Sequence, residues 1–158
     1  MRDWDLVVRL LVGMAIGYVI GFERELRGAR AGDRTFSLLA GGAAAATAVT
    51  ISAAPQAISG ILTGVGFVGA GLILRGDGGA IVGVTTAATI FTVASIGVVA
   101  GAGHLLLASV AGVLAVLVLE TRHLPLLRRF DARRYAGRFR DDSDMPGPTT
   151  PTAGDPPA

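Results

Sequence analysis

The sequence predicts an all-α protein, a polytopic membrane helix bundle of about five transmembrane helices followed by a disordered C-terminal tail. Three observations predict it. Apolar runs of 15 to 21 residues recur along the 158-residue chain, which is 51% hydrophobic with a mean hydropathy of +0.59, values ordinary for a small polytopic membrane protein and high for a soluble one. Charge is confined to short blocks, with no acidic residue between Asp33 and Asp77 or between Asp77 and Glu120. The runs are also rich in glycine. In water each interior glycine costs a helix about 0.5 to 1 kcal/mol. In a bilayer the backbone must bond itself, and small residues let neighbouring helices approach closely.

The first run, Leu6–Phe22, follows the charged start Met1–Asp5. It lacks the small-residue cleavage site of a secretory signal and is read as a retained span. Arg9 lies one turn after Asp5, a spacing at which an ion pair can neutralise an arginine near the interface, and its long side chain can also snorkel outward. Gly13, Gly17 and Gly21 are four apart, two successive GxxxG spacings. They predict a close helix contact, within the chain or, in the alternative reading, across a homodimer. Glu23–Thr35 is a charged connector with four arginines and three acids.

Phe36–Ala53 is the second span and Pro55 ends it. Ala57–Leu74 is the third. Its segment from Gly60 onward carries Gly64, Gly66, Gly69 and Gly71 and is expected deep in the bundle as a packing surface. Arg75–Gly79 is read as a short loop at one membrane face, Ala80–Ala100 as the fourth span and Leu105–Leu119 as the fifth, with the turn at Gly101–His104 between them. Runs of this length suit a hydrocarbon core of about 30 Å.

Five spans place the first connector, the Arg75 loop and the C-terminal segment on one side, which then holds nearly all the arginines. By the positive-inside rule that side is cytoplasmic and the N-terminus external, the arrangement of a multi-pass protein of a bacterial plasma membrane. The domain boundaries follow: 1–121 a five-helix membrane domain, 122–140 an arginine-rich segment suited to an anionic membrane surface, and 141–158 a tail with Pro146, Pro148, Pro151, Pro156 and Pro157 that reads as disordered.

Function classes narrow in the same way. There is no cysteine and no lysine, and the arginines cluster at the ends of apolar runs, a membrane pattern rather than that of a nucleic-acid binder. No nucleophile–base constellation, metal-ligand cluster or phosphate loop is present, so no enzyme, metal site or cofactor is expected. The glycines of the third span lie inside an apolar run, not between a strand and a helix, and are no nucleotide fingerprint. His104 stands alone at its turn.

Four motifs in order resemble one family. Gly17-Tyr-Val-Ile-Gly-Phe-Glu-Arg-Glu25, Ala31-Gly-Asp-Arg-Thr35, Gly64-Val-Gly-Phe-Val-Gly-Ala-Gly71 and Gly83-Val-Thr-Thr-Ala-Ala88 are similar to signatures of the MgtC/SapB family of bacterial inner-membrane proteins. The resemblance covers roughly residues 6–120. Phe36 and Phe91 stand where members often carry histidine and tryptophan, and the ACT-like C-terminal domain of some members is not matched. The resemblance implies a role in growth under magnesium limitation or in virulence, exercised by binding another membrane protein. For founding members that partner is proposed to be the F-type ATP synthase.

Within this frame the candidate functional cluster is Glu23, Arg24, Glu25, Arg34 and Thr35. Three successive charges spray around a helix end, so at least one faces the bundle or a neighbouring loop. Glu23 or Arg24 is expected to pair with a charge in the connector or with the Arg75–Asp77 loop, and Arg34 to hold Glu23 or Glu25. Thr35 is expected to cap the second helix. Thr85, Thr86 and Thr89, with Thr92, form a hydroxyl patch in the fourth span. The favoured reading has each hydroxyl bonded to the carbonyl one turn earlier, and the alternative joins them to Thr63 in a polar path. Two function classes remain: a regulator acting through protein contacts, or a magnesium transporter or channel. Spans two to five offer no carboxylate within hydrocarbon, and magnesium prefers such oxygen ligands.

Overall fold

A computed structural model describes residues 3–75 and 81–121. It contains α1 (Asp3–Leu26), α2 (Asp33–Thr50), α3 (Ala57–Leu72), β1 (Leu74–Arg75), β2 (Ile81–Val82), α4 (Val84–Gly101) and α5 (Leu105–Glu120). Met1–Leu119 form one compact unit. Of a second, Glu120–Ala158, only Glu120 and Thr121 are described. The arginine-rich segment, the proline-rich tail and Asp77 of the Arg75 loop lie outside the described residues.

The five expected helices are all present. Asp3–Leu26 and Val84–Gly101 are each long and apolar enough to cross a membrane, while α3 and α5 are shorter apolar helices. At 16 residues the latter span about 24 Å, short of a hydrocarbon core of about 30 Å. Such a mismatch is met by local thinning of the bilayer or by snorkelling of the flanking residues. The second helix reaches 18 residues only by including Asp33 and Arg34.

α2 sits at the centre, packed against α1 and α4. Its buried face is alanine, namely Ala40, Ala43, Ala44 and Ala48, with Phe36 at one end. Glycines of both neighbours meet that face. A methyl group at Gly17 would collide with the Phe36 carbonyl, and one at Gly97 with the Ala40 carbonyl. At Gly101 it would strike the Ala44 carbonyl, and at Gly13 it would lie 3.0 Å from the Ala44 Cβ. The Gly13, Gly17 and Gly21 stripe therefore packs inside the chain. In lipid, contact of this kind is what holds helices together, since hydrocarbon surrounds them whether or not they associate. Ser37 adds a polar tie, its Oγ donating to the Met14 carbonyl at 3.1 Å.

Several expectations need correction. The third helix is at the edge, not deep in the bundle. It leans on α4 through Val65 and Gly69, whose nearest neighbour would be Ala87 at 3.6 Å, whereas Gly60, Gly64, Gly66 and Gly71 have open space and Phe67 is 82% exposed. Glycine content announced close packing without saying which glycines find a partner. Gly64→Ala should accordingly be harmless to the fold. Its thermal melting in detergent should be unchanged or raised, because alanine favours a helix by about 0.5 to 1 kcal/mol over glycine.

The fourth helix begins at Val84, not Ala80. Before it, Leu74 pairs with Val82 and Arg75 with Ile81 in a two-residue antiparallel ribbon, and Gly83 at φ 91° starts the helix. The chain folds tightly there, since any Cβ on Gly83 would strike the Leu72 carbonyl. In the sequence, two β-branched residues after the glycine-rich stretch 76–79 are a hairpin signal, overlooked amid the apolar runs. Arg9 does not pair with Asp5. Its Nη1 donates to the Gly101 carbonyl at 2.9 Å, which places a cation at the C-terminal end of α4, where unbonded carbonyls gather partial negative charge.

Candidate functional site

The polar chemistry of the described residues concentrates where α1 ends and α2 begins. α1 continues through Glu23, Arg24 and Glu25, because nothing in that sequence breaks a helix, and stops near Gly28, whose φ of 69° turns the chain. Ala31 is buried, pulling the connector back against the bundle. α2 starts two residues later.

Glu23 turns inward and is only 8% exposed. Its Oε1 lies 3.6 Å from Nε of Arg27, one turn on, so the pairing expected with a connector charge is made to Arg27. That is an ion pair without hydrogen-bond geometry: both Glu23 oxygens are buried without a hydrogen-bond partner, as is Nε of Arg24. A buried carboxylate left so poorly satisfied costs stability.

Glu25 does structural work. Its Oε2 accepts the backbone N–H of Asp33 at 3.2 Å, supplying the acceptor that the first turn of α2 lacks. The N-cap residue of α2 is Gly32, which makes no side-chain cap bond, and a Cβ there would collide with Glu25 Oε2. The glycine is thus the space into which the carboxylate fits. Thr35, expected to cap this helix, is instead inside its first turn and exposed, because the helix begins earlier than the apolar pattern indicated. With Glu23 facing Arg27 and Glu25 on the α2 amide, Arg34 holds neither carboxylate. Its own amide donates to Asp33 Oδ1 at 2.6 Å, and its side chain, with Glu25, Arg30, Asp33 and Thr35, lines a polar recess of about 440 Å³. Glu25→Ala should lower stability by about 1 kcal/mol, the usual loss for a removed cap, read as a lower melting temperature in detergent.

The threonines of α4 behave as helix-packing residues. Thr89 donates to the Thr85 carbonyl at 2.7 Å and Thr92 to the Ala88 carbonyl at 2.9 Å. Thr63 bonds within its own helix to the Ser59 carbonyl at 2.8 Å. Thr86 and Thr89 are buried and Thr85 exposed. Hydroxyls used in this way offer no continuous polar path. Among the described residues no group of three or more His, Cys, Asp or Glu gathers to hold a metal.

Sequence reasoning missed Gly97 and Gly101, which complete the seat of α2, as well as Arg9 and the capping role of Glu25. A signal existed for the glycines. They are four apart like those of α1, but Gly101 had been assigned to the turn.

The chain is similar to known proteins. The profile of the MgtC family matches residues 10–125. SrpB of Synechococcus elongatus is 41% identical over 120 residues, covering 64% of this chain and 66% of that protein. Over 132 residues the chain is 37% identical to the "putative magnesium transporter YhiD" of Escherichia coli K12, covering 75% of this chain and 61% of YhiD. Protein MgtC of Salmonella typhimurium 14028s is 38% identical over 108 residues, 66% of this chain and 46% of MgtC. The chain thus spans between 46% and 66% of the length of these relatives. No solved structure matches it.

Proposed function

Because this chain belongs to the MgtC family, we propose that it is an inner-membrane protein of magnesium homeostasis which works without catalysis, by binding another membrane protein at the α1–α2 junction. The observation that carries this reading is the distribution of polar groups among the described residues. Carboxylates and guanidinium groups crowd the junction, with a buried and unsatisfied Glu23 among them, while the hydroxyls of Thr63, Thr89 and Thr92 bond back to their own helices and that of Thr47 is buried without a partner. Helices α3 to α5 carry no carboxylate before Glu120. A dehydrating magnesium ion would find few ligands along such a path, whereas a protein partner would find charge and a polar recess at one end. The family resemblance makes the F-type ATP synthase the first complex to look for. A homodimer would have to use another face than the Gly13–Gly21 stripe, which α2 fills.

A second reading is favoured by the name of YhiD, that of a magnesium transporter. The two separate cleanly in liposomes. Protein-dependent magnesium flux would establish transport, while its absence together with capture of a membrane partner that Glu23→Gln abolishes would support the regulator.

The junction belongs on the cytoplasmic side in this reading, with Arg24, Arg27, Arg30 and Arg34 obeying the positive-inside rule. The chain has no native cysteine, so single-cysteine labelling is direct. Arg30→Cys should react with an impermeant maleimide only after the cells are opened, and labelling in intact cells would reverse the orientation.

A further inference from the structure

An apolar groove of about 400 Å³ runs between α1 and α5. Its walls are Ala15, Ile16, Val19 and Ile20 on one side and Val113 and Val116 on the other. The one hydroxyl in the wall, Ser109, is already bonded to the Leu105 carbonyl at 2.9 Å, so the groove offers carbon and asks for no hydrogen bond. The two helices touch within its lining, where a Cβ on Gly112 would lie 2.6 Å from Ile16 Cγ2. The volume falls within the range of roughly 300 to 1,000 Å³ that small-molecule sites occupy. In a bilayer, hydrocarbon is what lies alongside such a groove.

One turn beyond its α1 wall the chemistry changes. Residues 15, 16, 19 and 20 share a helix face that continues at 23 and 24, since positions four apart stack along a helix. Glu23 has its counter-charge in Arg27 at 3.6 Å, and Glu25 is engaged with the amide of Asp33. Arg24 has neither: it is half-buried and its Nε has no hydrogen-bond partner. A carbon-lined groove whose α1 face continues one turn on to Arg24, with its unpartnered Nε, is complementary to a molecule with a hydrocarbon tail and an anionic head. Guanidinium presents donors to phosphate oxygens in a planar fork, which makes it a preferred group for that anion.

We infer that the groove between α1 and α5 seats an acyl chain of an anionic phospholipid whose phosphate is held by Arg24. This depends on the bundle lying in a membrane and not on which protein it regulates, so the site survives if the partner-binding reading fails.

The test uses the full chain reconstituted in mixed vesicles with spin-labelled lipids. The motionally restricted signal should be larger for phosphatidylglycerol than for phosphatidylcholine. Arg24→Gln should lower the relative affinity for phosphatidylglycerol by roughly tenfold, the loss of one charge-assisted hydrogen bond. Val113→Trp, which fills the groove from an exposed position and spares the buried glycine contacts, should weaken both lipids alike. A photoreactive side chain at position 113 should yield a lipid adduct in cell membranes. Equal restriction of the two lipids in the wild type, an unchanged preference in Arg24→Gln, or a position-113 adduct to a second copy or to another protein would each overturn the inference.

Discussion

Replacing Gly97 or Gly17 with leucine should abolish the folded protein. At each position the obstacle to a side chain is a backbone carbonyl of α2, that of Ala40 or Phe36. A carbonyl cannot move aside by changing rotamer as the end of a side chain can. Overpacking that can be relieved by repacking costs about 1 to 3 kcal/mol. Here the helices must separate, and the cost should exceed that range. The ratio of monodisperse to aggregated protein in detergent, read by size-exclusion chromatography, should fall sharply for Gly17→Leu and Gly97→Leu and stay near the wild-type value for Gly64→Leu, since Gly64 faces open space. Equal behaviour of all three would mean that α2 does not sit where the structure places it.

Glu23→Gln should separate stability from function. Exchanging a buried, poorly satisfied charge for a neutral group is often neutral or stabilising by about 1 to 4 kcal/mol, and glutamine keeps the shape. The melting temperature in detergent should hold or rise, while growth in a magnesium-limited complementation assay is lost, the trade expected of a residue retained for activity. Glu23→Ala should fail in the same assay. A Glu23→Gln protein that melts lower and complements normally would return Glu23 to a purely structural role with Arg27.

The number and order of the helices were legible in the sequence because bilayer solvation leaves a coarse mark, long apolar runs broken by charge. The glycine stripe of α1 was legible for the same reason, since its spacing admits one close neighbour. What the pattern could not express was which neighbour. Gly64, Gly66 and Gly71 carry the same local signal as Gly13 and Gly17, yet only the latter find a backbone opposite them, a fact of tertiary placement. Helix ends were misplaced wherever polar residues continue a helix beyond its apolar stretch, at Glu23–Glu25 and at Asp33–Thr35. That error moved the capping task from Thr35 to Glu25. The sequence offers Glu23 or Arg24 a partner in the connector or in the Arg75–Asp77 loop, and the geometry pairs Glu23 with Arg27 of the connector.

The central seat of α2 has a consequence for biogenesis. The chain leaves the ribosome with α1 and α2 able to close on each other at once, but the alanine face of α2 is completed only by Gly97 and Gly101, which emerge some fifty residues after it ends. Until then the Ala40 and Ala44 carbonyls lack the close approach of those glycines, and α3 passes by without supplying it. A nascent chain halted before the fourth helix would hold only part of its core, a half-built state for membrane quality control to recognise.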